Sequence, residues 1–277
     1  MTQQPENLYL ELMKRTLSFA LWQEPPMPIE TFNHKNSLPV KLFVATISRF
    51  FKLMGLQLVR PAAFTKKQRE EGYIWPGYAD TMIGLKRLDN LQFCVETALK
   101  EGVEGDFIET GVWRGGACIF MRAVLAAHAI KGRKVYVADS FEGLPKPDIE
   151  KFPNDKGDEH HAVKFLAVSQ DEVENNFRKY GLLDDQVVFL KGWFKDTLPE
   201  APIEKIAVMR LDGDMYSSTM DALNNLYPKL SKGGFCIIDD YALDGCRKAV
   251  DHFRKENGIN SEIKEVDWTG VYWKKCR

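Results

Sequence analysis

Six carboxylates and three aromatic side chains stand where short apolar runs stop. FIETG, VYVADS, FLKGWF, AVMRLDGD and FCIIDDY end in Glu109-Thr110-Gly111, Asp139-Ser140-Phe141, Gly192-Trp193-Phe194, Asp212-Gly213-Asp214 and Asp239-Asp240. Any one of these termini is compatible with a solvated turn; five in succession form a pattern. Between Asp212 and Asp239-Asp240 lies enough chain for one helix and a returning strand, so adjacent parallel strands would bring the three carboxylates together. Without a counter-charge they would repel and raise one another's pKa. A hard divalent cation resolves that conflict, and carboxylate oxygens suit Mg²⁺, with Mn²⁺ as the alternative. Asp214 is expected to stand beside that set or to meet a cofactor.

The remaining strand ends suggest what binds next to the aspartates. ETGVWRGG, Glu109 to Gly116, is neither the GxGxxG of dinucleotide binding nor a loop followed by GK[ST]. A cofactor without phosphate, carrying adenosine and a cationic end, would suit Glu109. Asp139 is placed to accept hydrogen bonds from both ribose hydroxyls. Trp193 and Phe194 offer faces for an adenine ring, core packing being the alternative. His160 and His161 sit in a long polar loop, EGLPKPDIEKFPNDKGDEHH, which serves either as a lid or as solvated surface.

The elements that must hold these residues alternate. From about Leu85, helical and strand-like segments follow one another, and runs such as VYVA, VVFL, IAVM and FCII suit strands covered on both faces. This predicts an α/β fold with a doubly wound, mostly parallel, seven-stranded sheet. The tail SEIKEVDWTGVYWKKC reads as two strands that would add an antiparallel edge. Residues 1–75 have a different texture, with a helix over Glu6–Trp22, a proline-bearing linker and an amphipathic helix over Pro39–Val59. They are expected to form a helical cap that dimerises or covers substrate, ahead of a catalytic domain over 76–277.

Composition narrows the partners. With 277 residues, 44% hydrophobic and 28% charged, and a net charge of -1, the chain reads as globular and lacks the basic field that nucleic acid requires. Lys41, Arg49 and Lys52 interrupt the most apolar segment, so no membrane span is expected. Its apolar face argues instead for a homodimer. The opening MTQQPENLYLELMKRTLSF has no basic leader, so no secretory signal is expected. Five cysteines without a CxxC pair read as buried free thiols in a reducing cytoplasm.

Taken together, ETGVWRGG, ADSFEGLP, KGWFKDTLP, RLDGDMYSST and IIDDY resemble the macrocin O-methyltransferase family over roughly Tyr73 to Tyr241. Its members are class I, S-adenosylmethionine-dependent enzymes acting on sugar hydroxyls of macrolides, aminocoumarins and related products. The GDEHH loop looks like that of the aminocoumarin-type members. The resemblance implies that Thr81 and Met82 contact S-adenosylmethionine. It implies the same for Glu109, Thr110, Gly111, Val112 and Trp113, for Asp139, Ser140, Phe141 and Gly143, and for Trp193, Phe194 and Asp212. It makes Asp212, Asp239 and Asp240 the metal ligands and Asp212 the general base. A glycoside acceptor is thus expected. A phenol or catechol methyltransferase using the same metal is the alternative. An NAD-dependent oxidoreductase would need a phosphate loop and a Tyr-x-x-x-Lys pair, and neither is in place; the intact aspartate set argues against a non-catalytic relic.

Overall fold

The computed structural model describes residues 4–30, 36–61 and 64–276. Part of the proline-bearing linker, at 31–35, lies outside the described residues. In chain order the helices are α1 (Pro5–Leu17), α2 (Leu38–Leu53), α3 (Lys66–Glu71), α4 (Leu85–Lys100), α5 (Gly116–Ala127), α6 (Gln170–Lys179), α7 (Phe194–Thr197), α8 (Tyr216–Leu226) and α9 (Asp244–Glu256). The strands are β1 (Met27–Pro28), β2 (Val59–Arg60), β3 (Asp106–Thr110), β4 (Val135–Asp139), β5 (Val187–Lys191), β6 (Ile206–Leu211), β7 (Leu230–Ile238), β8 (Lys264–Glu265) and β9 (Val271–Lys274).

Seven strands form one sheet in the order β5-β4-β3-β6-β7-β9-β8. The first five are mutually parallel, and β9 and β8 are antiparallel, as the alternation and the tail predict. All six residues of β6 are buried, which explains its near-continuous apolar run at the centre of the sheet. Side chains alternate between the two faces. Phe107 and Val208 pack with α4, α5 and α6, whereas Ile108 and Met209 pack with α8 and α9. The strand order reverses between β3 and β6, so their carboxyl ends flank the switch point where such sheets bind ligands.

The N-terminal segment is not of one kind. Leu10, Met13 and Leu17 of α1 enter the same core as α4 and α5, and the buried Lys14 pairs with Asp89 at 2.5 Å. Helix α1 stops at Leu17, short of the expected Trp22, because Phe19 adopts a positive φ of 58°. Buried Glu24 bonds both Arg69 and the Gly77 N–H, each at 2.9 Å, fastening this stretch to the chain that enters α4. Helix α2 differs: Leu38, Leu42, Phe43, Phe50 and Leu53 are 59–83% exposed. Strands β1 and β2, which sequence patterning does not reveal, flank α2 and pair with each other. No helix among the described residues is long and apolar enough to cross a membrane.

Because α1 belongs to the main core, Leu10→Ala is expected to cost about 2–5 kcal/mol, the usual range for a fully buried leucine. Urea denaturation measures it; a loss below about 0.5 kcal/mol would show α1 to be energetically peripheral.

Candidate active site

At the end of β3 the chain makes a turn that only glycine permits. Gly111 has φ 81°, and a Cβ there would sit 1.7 Å from the Asp212 carbonyl oxygen. The two central strand ends can therefore approach closely. Gly116 serves the same purpose one turn later, since a Cβ would meet the Asp80 carbonyl oxygen at 2.4 Å. This lets the loop carrying Thr81 and Met82 press onto the start of α5. Trp113, Phe141 and Asp214 all hold positive φ, at 48°, 59° and 52°. Such strain in non-glycine residues collects where function requires it.

A cavity of about 250 Å³ opens above these strand ends. Gly111, Trp113 and Met82 line one side, Asp139, Ser140 and Gly143 the next, and Trp193 and Phe194 the far wall. Asp212 and Asp214 close it at the switch point. Asp139 accepts hydrogen bonds from the N–H groups of Val112 at 2.8 Å and Phe141 at 2.7 Å, which aim its carboxylate. Burial pushes its pKa up, and those N–H groups work against the rise. Trp113 is locked by donating Nε1–H to the Phe165 carbonyl at 3.0 Å.

Five of the residues expected at the cofactor do not line this cavity. Val112 acts through its backbone, as above. Phe141 is 6% exposed and packs on Phe189. Thr81 is 5% exposed and its hydroxyl accepts from the Ile83 N–H. Thr110 is fully buried, with an unpartnered hydroxyl. Glu109 departs most from expectation. It is 2% exposed, is hydrogen-bonded to Arg210, and accepts from the Cys118 thiol at 3.0 Å. Burial raises its pKa to about 7, with Arg210 opposing.

Arg210 is the group that sequence reasoning missed. It projects from the middle of the sheet, 1% exposed, and is hydrogen-bonded to Glu109, to Asp239 and, at 2.9 Å, to Asp212. Arg87 at the start of α4 takes the other oxygen of Asp239 at 2.5 Å and reaches Asp267 at 2.9 Å. Both oxygens of Asp239 are thus held by arginines, and its pKa ends below the ordinary carboxylate range although burial alone would raise it. Asp239, one of the three carboxylates expected at the metal, thus faces the arginines, while oxygens of Asp212, Asp214 and Asp240 lie within 4.8 Å of one another. The physical reason is charge. Two guanidinium groups attract Asp239 beneath the sheet edge, while Asp214 and Asp240 form no ion pair with Lys or Arg among the described residues.

The cluster bears the marks of missing positive charge. Burial, then repulsion from its neighbours, lifts Asp212 to about 6, Asp214 to about 7 and Asp240 well above its usual value. These carboxylates fit a divalent cation bound by oxygen. Removing Arg210 would leave Glu109 and Asp239 buried without their partner. Arg210→Met should destabilise the fold by about 3–5 kcal/mol at pH 8, and by less at pH 5, where the abandoned carboxylates can protonate. Guanidinium titrations at the two pH values measure this; a pH-independent loss would contradict the charge argument.

The profile of the macrocin O-methyltransferase (TylF) family matches residues 6–275, including the N-terminal segment that the strand-end motifs leave out. A mycinamicin III 3''-O-methyltransferase of Micromonospora griseorubida is 48% identical over 272 residues, covering 97% of this chain and 96% of that protein. A demethyldecarbamoylnovobiocin O-methyltransferase of Streptomyces niveus is 45% identical over 278 residues, covering 100% and 96%. The solved O-methyltransferase NovP superposes with a TM-score of 0.83 at 43% identity, covering 98% of this chain and 100% of that one. A calicheamicin methyltransferase at 16% identity and TM-score 0.58, covering 99% and 94%, shares the fold. The chain belongs to the macrocin O-methyltransferase family.

Proposed function

We propose that this O-methyltransferase methylates a sugar hydroxyl of a glycosylated natural product, with a divalent cation held by Asp212, Asp214 and Asp240 and with Asp214 as proton acceptor. The observation that carries the reading is the continuity of one cavity from Asp139 to an acidic cluster short of positive charge. The relatives named for mycinamicin III and demethyldecarbamoylnovobiocin support a glycoside acceptor. S-adenosylmethionine supplies an electrophilic methyl on sulfur, and a divalent cation supplies charge that favours the ionised form of a nearby hydroxyl.

The chain's own contribution is position and proton transfer. Asp139 accepts from the ribose hydroxyls. Trp193 and Phe194 wall the adenine end, and Met82 and Trp113 shield the reacting centre from water. The acceptor oxygen gains the methyl and gives its proton to a carboxylate. Asp212, expected as that base, is tied to Arg210, which favours its ionised form and makes it the poorer acceptor. Asp214 forms no such pair with Lys or Arg among the described residues, which leaves it the less committed acceptor. Asp239, engaged by both arginines, anchors the strand end that presents Asp240.

Incubation with labelled S-adenosylmethionine and a panel of glycosides and phenols, with and without EDTA, tests this. Transfer to a glycoside that stops with EDTA is expected. Asp240→Asn should be partly rescued by excess Mg²⁺, and Asp214→Asn should lose about 10²–10⁴ in kcat without rescue. If Asp212→Asn alone resists rescue, the base is Asp212. Asp139→Ala should weaken cofactor binding about 10- to 100-fold. Mg²⁺ should also raise the melting temperature, more at pH 8 than at pH 5.5. The sign follows from the raised carboxylate pKa values: the folded protein without cation loses stability as pH rises through the window from about 4 to about 7, and protons cease to compete with the cation above it. Full activity in metal-free enzyme would eliminate the cation.

We further propose that a second copy of the chain covers α2 in a cytoplasmic homodimer, with residues 1–75 contributing to both the interface and the substrate cover. So many exposed apolar side chains on one helix exceed what monomers ordinarily tolerate. Light scattering at micromolar concentration should give a dimer that Phe43→Asp shifts toward monomer; a wild-type monomer would refute it.

A further inference from the structure

The long loop after β4 bounds one end of the cavity. It supplies lining residues between Gly143 and Phe152 and then dives at Asp155, which is 2% exposed. Asp155 accepts from the N–H groups of Tyr216 at 2.6 Å and Ser217 at 3.1 Å, so the loop is fastened to the first turn of α8 from across the chain. His160 and His161, farther along the loop, do not line the cavity. Helix α7 lies against the same helix: a Cβ at Gly213 would meet Ser218 at 3.3 Å and the Phe194 ring at 3.6 Å. The end of the cavity walled by Trp193 and Phe194 is therefore bounded by three fixed elements, the loop, α7 and α8.

Asp221 lies one turn along α8 from Ser218, and both line this cavity. It is partly buried, yet its carboxylate accepts no hydrogen bond and joins no salt bridge among the described residues. Lys151 of the loop and Lys195 of α7 line the cavity as well. Burial raises the Asp221 pKa, and these two lysines work against the rise. A carboxylate taken partly out of water without a donor is costly for the chain alone, and the cavity is where a donor can arrive. The edge of an adenine ring is the complement: an exocyclic amino group donates, and the ring nitrogens beside it accept. Asp221 offers an acceptor, with lysine amines as donors on the neighbouring elements.

We propose that Asp221 accepts a hydrogen bond from the exocyclic amino group of the S-adenosylmethionine base, and so makes the site selective for adenine. This rests on the reading above in which Trp193 and Phe194 wall the adenine end. Asp155 is a positioning residue that holds the loop against α8.

Calorimetry with S-adenosylhomocysteine and its analogue carrying hydrogen in place of the 6-amino group tests this. Wild type should bind S-adenosylhomocysteine about 10- to 100-fold more tightly than the analogue, the range for a hydrogen bond to a charged acceptor. Asp221→Ala should bind the two alike, near the wild-type affinity for the analogue. Asp221→Asn, whose side-chain oxygen still accepts, should recover part of the preference. Asp139→Ala should lower both affinities by the same factor, because the ribose is common to both ligands. The ligand-free melting temperature of Asp221→Ala should not fall below that of wild type, since the carboxylate has no partner to lose. A wild type that does not distinguish the ligands, or an Asp221→Ala variant that keeps the wild-type preference, overturns the inference while leaving the methyltransferase reading standing. If wild type binds neither ligand, the assignment of the cavity to the cofactor fails and this inference with it.

Discussion

A buried guanidinium has to be paired, and Arg210 is paired three times over. Moving its charge out of water would cost several kcal/mol if uncompensated. Its position on β6, directly opposite Glu109 on β3, makes the compensation a matter of register: Glu109 and Arg210 are aligned partners on parallel strands. Asp239, one residue beyond β7, closes the triangle, and Arg87 extends it to α4 and to Asp267 in the turn between β8 and β9. Thr269 on that turn donates to the Asp239 carbonyl at 3.0 Å. Three central strands, a helix and the C-terminal hairpin thus meet at one set of charges, and a shift in any of them would leave an ion unpaired.

That arrangement divides the carboxylates at the switch point into two layers. The lower layer, Glu109 and Asp239, is neutralised by arginine and excluded from the cavity. Among the described residues, the upper layer, Asp212, Asp214 and Asp240, pairs with Lys or Arg only where Asp212 touches Arg210. Asp212 also remains 27% exposed, open toward the cavity. Protein cations compensate the layer below and leave the layer above with less positive charge beside it.

Much of this was legible in the sequence, because the features concerned are local or periodic. Apolar runs of strand length, alternating with helical segments, predict the sheet, and residues just beyond each run must face the ligand edge. Asp139, Trp193 and Asp212 were found by that reasoning. What escaped it depends on which distant side chain a group faces. Arg87 and Asp239 are 152 residues apart, and Glu109 and Arg210 are 101 apart. A signal was nonetheless present: Arg210 interrupts IAVM-R-L, an otherwise buried strand, and a charge there demands partners. Asp155 hid in the same way, as an ordinary loop aspartate until α8 supplied its donors. Helices α1 and α2 look alike as amphipathic segments, yet one is core and the other is not, because only packing distinguishes them.

The charge layout also decides what holds the site open. Three carboxylates in one cluster repel, and a site built from them alone would need its cation to fold, as small metal-nucleated domains do. Here the strand ends beneath are fixed by Arg210 and Arg87, and the loop above is fixed by Asp155 on α8. Burial and mutual repulsion in the upper layer favour retained protons, and the pKa values of Asp212, Asp214 and Asp240 are all raised. The framework is therefore fixed from within the chain, by its own ion pairs and hydrogen bonds. Preorganisation of this kind suits a transfer in which the enzyme's main contribution is geometry. The conformational cost is met once, in folding, by an ion network of which Arg87, Glu109, Arg210 and Asp239 lie outside the cavity lining.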